Sequence, residues 1–577
     1  MSVTLGLNFN HADSSACLFF NNDLKFAIEE ERINRTKHWA GIPFESISLC
    51  LNENNLKFDD ITDITVNTNP RSNLNQKIFF FLTNYLFGKK KIEIFNRVKN
   101  KFFLKNDLYS FFERKNKNQL KIHYIDHHIS HISSAYFASN FNNAIGLSID
   151  GFGDFCSLLI SECNDGKITP LEKLYFPNSI GLIYEAFTQF IGFKKYGEEY
   201  KMMGLSSFGE PKYVNIIKNN LFKNFHKLKL NLSYFNHHNK DYLYKFSGEP
   251  NQSEIFNKNI FELFKSEINS KSFKEDIACS IQKIFEDLLD IIIKKCLSKS
   301  TYRNLVYAGG CALNSLANKK IFDNDYFNNV FIPYAPGDGG GSIGSSLYFL
   351  SKSNNYFDKH NLQNPYIGSN YSNETIENII NKKKLITKYS VNYFQNKKDL
   401  YRLLAKQIKN NYIVGFFNGK MEFGARALGN RSILANPCSP DIKDIINLKI
   451  KRRENFRPFA PSILMDHKEN WFDNDRSNPY MSSVENISLD MRKLIPAVTH
   501  FDGTGRVQTV SKEFNLDFYN LIFEFYKITN VPILLNTSFN ENEPIVMTPE
   551  NAIDCFERTK MDTLVLENYL ISRHINN

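Results

Sequence analysis

One pattern limits what this chain can fold into more than any other: a strand, polar turn, strand, hairpin turn, strand order that is written twice. Val3–Phe9, Ala16–Phe20 and Leu24–Ile28 are short apolar runs separated by the polar stretches Asn10–Ser15 and Asn21–Asp23. The order returns as Ala144–Ile149, Phe155–Ile160 and Ile168–Phe176, separated by Asp150–Asp154 and Asn164–Gly166. Runs of this kind between Asn, Asp, Gly and Ser clusters read as strands joined by hairpin turns. A sentence of elements repeated within one chain reads as a duplicated unit. In each copy the first turn carries an acid or a histidine.

Two such units facing each other across a cleft are how the actin, sugar-kinase and Hsp70 group holds a nucleotide, and the pattern here is similar. Two further turns fit that arrangement. The predicted strand Leu305–Ala308 runs into Gly309–Asn314, and the predicted strand Asn329–Tyr334 into Pro336–Gly344. Both turns offer backbone N–H groups and a helix start to anions. Gly339, Gly341 and Gly344 match GxGxxG by letter but lack the βαβ unit and acid of a dinucleotide site, and no GxxxxGK[ST] occurs. Glu275–Leu297 has the apolar spacing of a long core helix.

At 577 residues with 42% hydrophobic side chains the chain fills more than one core. The polar, turn-rich stretch Ser351–Gly368 marks the boundary between a domain spanning 1–355 and one spanning 365–577. The second opens with a helix near Lys397–Lys409 and a strand Tyr412–Phe417, with another buried strand at Val531–Leu535.

The densest apolar stretch, Ile78–Phe87, is far shorter than the roughly 20 residues of a membrane span. Met1–Asn10 lacks the charged start of a signal peptide, and nine scattered cysteines without a CxxC fit reduced thiols, so a cytoplasmic protein is expected. The net charge of +10 is spread along the chain. Gly88–Arg114 is the best candidate for RNA or membrane contact, with a solvated helical insertion bearing one packed face as the simpler reading.

His127 and His131 stand four residues apart, a spacing that places two imidazoles on one helix face where they can grip one metal ion. In the second domain, Phe423–Arg431 and Lys449–Pro461 concentrate arginines beside Gly and Pro turns, and His500–Gln508 and Leu535–Asn540 add donors after a predicted loop and strand end. Arginine's planar fork suits phosphate or carboxylate, so together these describe a phosphate-rich ligand such as ATP. No serine–histidine–acid order or activated cysteine stands out.

These strings resemble the O-carbamoyltransferases that modify nodulation factors, antibiotics and related natural products (NodU/CmcH type), over nearly the whole chain. The motifs are Glu29–Arg32 with Lys37 and His38, His127–His131, Glu199–Gly204, Gly309–Asn314, Pro336–Gly344, Gly424–Pro437, Lys451–Pro461, Asp502–Gln508 and Leu534–Asn540. The resemblance implies an α/β fold: a duplicated ribonuclease-H-like N-terminal domain, like the catalytic subunit of tRNA threonylcarbamoyl transfer, and a YrdC-like α/β C-terminal domain. It implies that the C-terminal domain takes carbamoyl phosphate and ATP (with Mg2+) to carbamoyl adenylate, which passes internally to the N-terminal domain for transfer to a hydroxyl acceptor.

By the same resemblance, His127, His131, Asp150 and Asp338 are the metal ligands, for iron as Fe2+. Gly309, Gly310, Asn314, Gly339, Gly340 and Gly341, with Glu199 and Lys201, line the nucleotide. Arg426, Arg431, Lys449, Arg457, Arg506, Asn536 and Ser538 hold carbamoyl phosphate and ATP. Many relatives carry a contiguous His-Asp in the first turn, whereas this chain reads Asn10-His11-Ala12-Asp13, so the base that deprotonates the acceptor is His11 or Asp13. The expected partners are small molecules, with no membrane, no nucleic acid and a homodimer by base rate. A tRNA threonylcarbamoyl-forming enzyme and a non-catalytic nucleotide- or RNA-binding protein are the alternatives.

Overall fold

The computed structural model describes residues 2–85, 106–112, 120–239, 244–245, 248–353 and 357–573. The chain divides into two compact units, Met1–Gln363 and Asn364–Asn577.

The first unit contains two five-stranded sheets with one plan. In the first sheet β1 (Val3–Asn8) pairs antiparallel with β2 (Ser15–Phe20), β2 antiparallel with β3 (Asp23–Glu29), and β1 parallel with β4 (Asp63–Val66), which pairs parallel with β5 (Lys121–Tyr124). The second sheet repeats this order and these directions with β6 (Asn143–Gly153), β7 (Cys156–Asn164), β8 (Lys167–Tyr175), β9 (Asn304–Ala308) and β10 (Asn329–Phe331). The strand order 3-2-1-4-5, present twice, is the duplicated ribonuclease-H-like fold.

Each copy ends in a helix that packs across onto the other copy's sheet. The helix after β5, α1 (His127–Tyr136), lies on β6 and β9, while α2 (Gly341–Leu350), after β10, lies on β1 and β4. Close approach of these helices explains a glycine at the centre of each first strand. A Cβ on Gly6 would run into the Ser342 carbonyl of α2, and one on Gly146 would come within 2.7 Å of Ile132 of α1.

Two expected elements differ. Asp150–Asp154 is not a turn throughout: β6 continues to Gly153 across a register shift between Ile149 and Gly153, and the hairpin turns only at Asp154 and Phe155, whose φ values are 50° and 70°. Left-handed residues of this kind match the twist of a tight hairpin. In the second unit the buried strand runs Ile533–Ser538, so Asn536 and Ser538 stand on the strand and not beyond it.

The second unit is an α/β domain built on a mixed eight-stranded sheet, with helices Lys397–Lys409 and Leu516–Thr529 packed into its core. Leu400, Leu404 and Ile408 repeat at helical spacing, which buries one face of the first helix.

Most of Gly88–Arg114 lies outside the described residues. Within its described part, Phe111 stacks on Phe44 with ring centroids 4.2 Å apart and Phe112 on Phe58 at 4.4 Å. Among the described residues no helix is long and apolar enough to cross a membrane.

Candidate functional site

Helix α1, which carries both histidines, starts where Asp126 caps it, its carboxylate accepting from the backbone N–H of His128 and Ile129. From that start the i,i+4 spacing points His127 and His131 the same way, both buried. Asp150 reaches them from β6 and Asp338 from the turn before α2, so all four come from the two copies' facing ends.

Their donor atoms converge. His127 Nε2 lies 3.1 Å from His131 Nε2; Asp150 Oδ2 lies 3.4 and 3.0 Å from the two rings, and Asp338 Oδ1 lies 3.4 Å from each. Four ligands at about 2.0–2.2 Å from one ion stand roughly 3.0–3.5 Å from one another, so the spacing fits a small divalent metal. The donor set, two imidazoles and two carboxylates, suits a borderline divalent ion. Packing orients His127, because its ring lies flat on Gly153 where a Cβ would collide with it.

The same convergence shapes the charges. Burial alone would lower the His131 pKa, but hydrogen bonds to Asp150 and Asp338 outweigh it and raise it to about 9. Burial tends to raise the Asp150 carboxyl, yet its bonds to both histidines hold it well below the ordinary range. Asp338 is pushed up by burial and by the Asp150 charge. Two carboxylates this close favour a cation between them.

His11 and Asp13 part company. The His11 ring lies 4.6 Å from that of His127, with Nδ1 4.0 Å from Asp338 Oδ2, against the His/Asp cluster. Asp13 instead holds His38 Nδ1 at 2.8 Å, and both residues adopt left-handed backbone, with φ of 55° and 54°. Burial opposes the charge on His38, but Asp13 raises its pKa to about 9. His38 itself is fixed through its backbone N–H, which donates to Glu31 Oε2 at 2.8 Å, while Glu31 Oε1 pairs with Arg32 at 2.9 Å. The sequence singled out this motif but gave His38 no role.

Of the expected nucleotide-lining residues, Gly310 lies against the cluster, its Cβ position 2.9 Å from Asp150 Oδ1, and Gly339, next to Asp338 in the chain, packs against Asp13. Gly340 and Gly341 are tight against Ala335 and Asn67, a packing need. Gly309, at φ 96°, turns the chain against Ile149. The Asn314 side chain caps the following helix by accepting from Ala317 N at 3.0 Å and also bonds Gln282. Lys201 is folded onto Glu198 at 2.7 Å, and burial raises the Glu199 pKa.

In the second unit Arg426, Arg506 and Asn536 come together. Burial, then the neighbouring Arg426 charge, drives the Arg506 pKa well below its usual value. Asn536 donates to the Ala427 carbonyl at 3.3 Å and to Gln508 Oε1 at 3.0 Å, tying the strand to both arginine loops. Glu422 shapes the first loop, its buried Oε1 accepting from the backbone N–H of Leu428, Asn430 and Arg431.

Arg431 is placed differently from the expectation that it grips substrate. It is fully buried, donates to the carbonyls of Asn418, Gly419, Asn430 and Ser369, and stacks 3.6 Å over Phe417. A buried guanidinium is tolerated only when its donors are met in this way. Ser538 bonds Asn540 at 2.7 Å and accepts from Lys451, a fully buried lysine that opens a motif the sequence offered but was given no role there. Lys449 is exposed, and Arg457 pairs with Glu454 at 3.6 Å.

Comparison with known proteins adds a second line. Residues 3–347 match the family model for the carbamoyltransferase N-terminus and residues 405–573 that for the carbamoyltransferase C-terminus. An uncharacterized protein of Synechocystis sp. is 34% identical, covering 99% of this chain and 97% of that protein. Nodulation protein NolNO of Sinorhizobium fredii is 32% identical, covering 99% of this chain and 80% of NolNO. Among solved structures, component A of (R)-2-hydroxyglutaryl-CoA dehydratase from Acidaminococcus fermentans aligns over 61% of this chain and 99% of that one at 12% identity and a TM-score of 0.34. HypF of T. kodakarensis aligns over 63% of this chain and 49% of its own at 14% identity and a TM-score of 0.30.

Proposed function

The chain belongs to the carbamoyltransferase family, and from that premise we propose that it is an ATP-dependent O-carbamoyltransferase acting in the cytoplasm on a hydroxyl of a small-molecule or sugar acceptor. The second unit, in the YrdC-like role, hydrolyses carbamoyl phosphate to carbamate and inorganic phosphate, and a carbamate oxygen then bonds to the α-phosphorus of ATP as pyrophosphate leaves, giving carbamoyl adenylate. The first unit consumes that carbamoyl adenylate. The observation that carries this reading is the convergence of His127, His131, Asp150 and Asp338 at 3.0–3.4 Å where the two ribonuclease-H-like copies face each other.

Those four residues would hold a divalent ion, Fe2+ by family resemblance, which supplies Lewis acidity toward the adenylate. The remaining roles belong to the chain. The acceptor oxygen forms a bond to the carbamoyl carbon as the bond from that carbon to the bridging anhydride oxygen breaks, and AMP departs with that oxygen and the negative charge. His11, against the cluster, takes the acceptor's proton on its imidazole. Asp13 is committed to His38. In the second unit Arg426 and Arg506 face the phosphates, since two adjacent half-buried cations favour a polyanion.

Incubation with carbamoyl phosphate and ATP, without threonine or tRNA, should release pyrophosphate. Release that depends strictly on threonine would favour a threonylcarbamoyl-forming enzyme and overturn the assignment.

A further inference from the structure

The motif Asp150-Gly-Phe-Gly-Asp154 does more than supply the cluster with Asp150. Asp150 gives a donor, Gly153 gives the floor under the His127 ring, and Asp154 is buried just beyond them at 6% exposure. Asp154 Oδ2 accepts from the His127 backbone N–H at 3.0 Å and from Asn69 N at 2.7 Å, while Oδ1 accepts from Thr68 Oγ1 at 2.8 Å. Its carbonyl accepts from Asn73 Nδ2 at 2.9 Å.

These bonds join three segments: the end of β6, the loop after β4, and the start of α1. The N-cap Asp126 takes the N–H groups of His128 and Ile129, and Asp154 takes that of His127, the first residue of the helix. A carboxylate there also meets the positive end of the helix dipole. Two of the metal ligands ride on α1, whereas Asp150 rides on β6 four residues before Asp154. The bond from Asp154 to His127 N therefore fixes the distance between the two ligand-bearing elements. Asp154 holds a left-handed φ of 50°, which Asp and Asn adopt far more readily than most residues.

We propose that Asp154 is a positioning residue for the metal site, holding α1 in register with β6 so that His127, His131, Asp150 and Asp338 close on one ion. The inference rests on the metal-site reading above and deepens it. Ligand geometry must be kept within about 0.5 Å to be productive, and partners outside the ligand shell typically govern metal affinity by about 10–100-fold.

The test is anaerobic titration of the full-length apoprotein with Co2+, whose visible absorption reports ligand geometry as well as affinity. Asp154→Ala should bind Co2+ at least about tenfold more weakly with a shifted absorption. Asp154→Glu keeps the charge but moves the carboxylate by one methylene, and it should show the same shift. Asp154→Asn can still accept both backbone N–H groups through Oδ1 while its amide donates to Thr68 Oγ1, so its absorption should match the wild type. Wild-type affinity and absorption in the Ala or Glu variant would overturn the proposal, as would an Asn variant shifted like the Ala variant. Failure of the wild-type protein to bind Co2+ at all would instead overturn the underlying metal-site reading.

Discussion

The candidate sites of the two units carry their charge in opposite ways. In the first, acids and histidines are set against one another: Asp150 and Asp338 against His127 and His131, Asp13 against His38, Glu31 against Arg32. In the second, Arg506 lies beside Arg426, and burial with that like charge pushes its pKa well down. A site of mixed sign that converges on a point suits a small cation plus a proton-handling group. Neighbouring half-buried cations suit a polyphosphate. On the proposed function, that difference assigns metal-assisted transfer and nucleotide activation to separate folds of one chain.

The strongest way to break this comparison is His131→Ala. The remaining donors leave one corner of the cluster open, and metal content after anaerobic loading should fall from stoichiometric to near background, with carbamoyl transfer lost. Retained metal would contradict the assignment. Arg506→Ala should cut pyrophosphate release by about 10–100-fold, the value of a charged hydrogen bond, while metal content stays unchanged. An Arg506→Ala protein that lost metal but kept pyrophosphate release would reverse the roles of the two units.

Arg431→Lys sharpens the comparison from the other side. A lysine cannot reach the carbonyls of Asn418, Gly419, Asn430 and Ser369 together, so the second unit should lose about 3 kcal/mol in denaturant unfolding. The KM for ATP should stay within about threefold of wild type, because this side chain faces the protein's own backbone. A large KM change with stability intact would return Arg431 to the substrate.

The smallest effect concerns the Asp13–His38 pair. The His38 pKa is raised to about 9 in the folded protein, from an ordinary 6.5. Its contribution to stability is therefore complete below about pH 6.5 and is lost as pH rises through about 9. Asp13 is lowered: burial works against this, but the His38 charge prevails, so its contribution is lost as pH falls through the acid range. Asp13→Asn should bring the His38 titration back toward pH 6.5 by NMR. The stability gap to wild type should narrow above pH 9, and a His38 titration unmoved by the substitution would remove the pair from the account.

What could be read from the sequence follows from what local pattern encodes. The duplicated sheets were legible because strand alternation and turn residues repeat at Val3–Ile28 and Ala144–Phe176. The facing of His127 and His131 was legible because helical spacing fixes it. Side-chain direction was not. Arg431, Asn314 and Lys201 have the right chemistry for a ligand, yet burial turns the first onto backbone carbonyls, helix capping takes the second, and Glu198 takes the third. The Asp13–His38 contact spans 25 residues and depends on two left-handed backbones no periodicity announces. Asp154 stood inside a motif already noted, but its partners Thr68, Asn69 and His127 meet it only once the copies are folded together.

The division of labour between the units is tested most directly by carbamoyl-phosphate-dependent exchange of labelled pyrophosphate into ATP in the His127→Ala/His131→Ala double variant. The account predicts exchange at the wild-type rate with no carbamoyl transfer. Exchange lost together with transfer would contradict it.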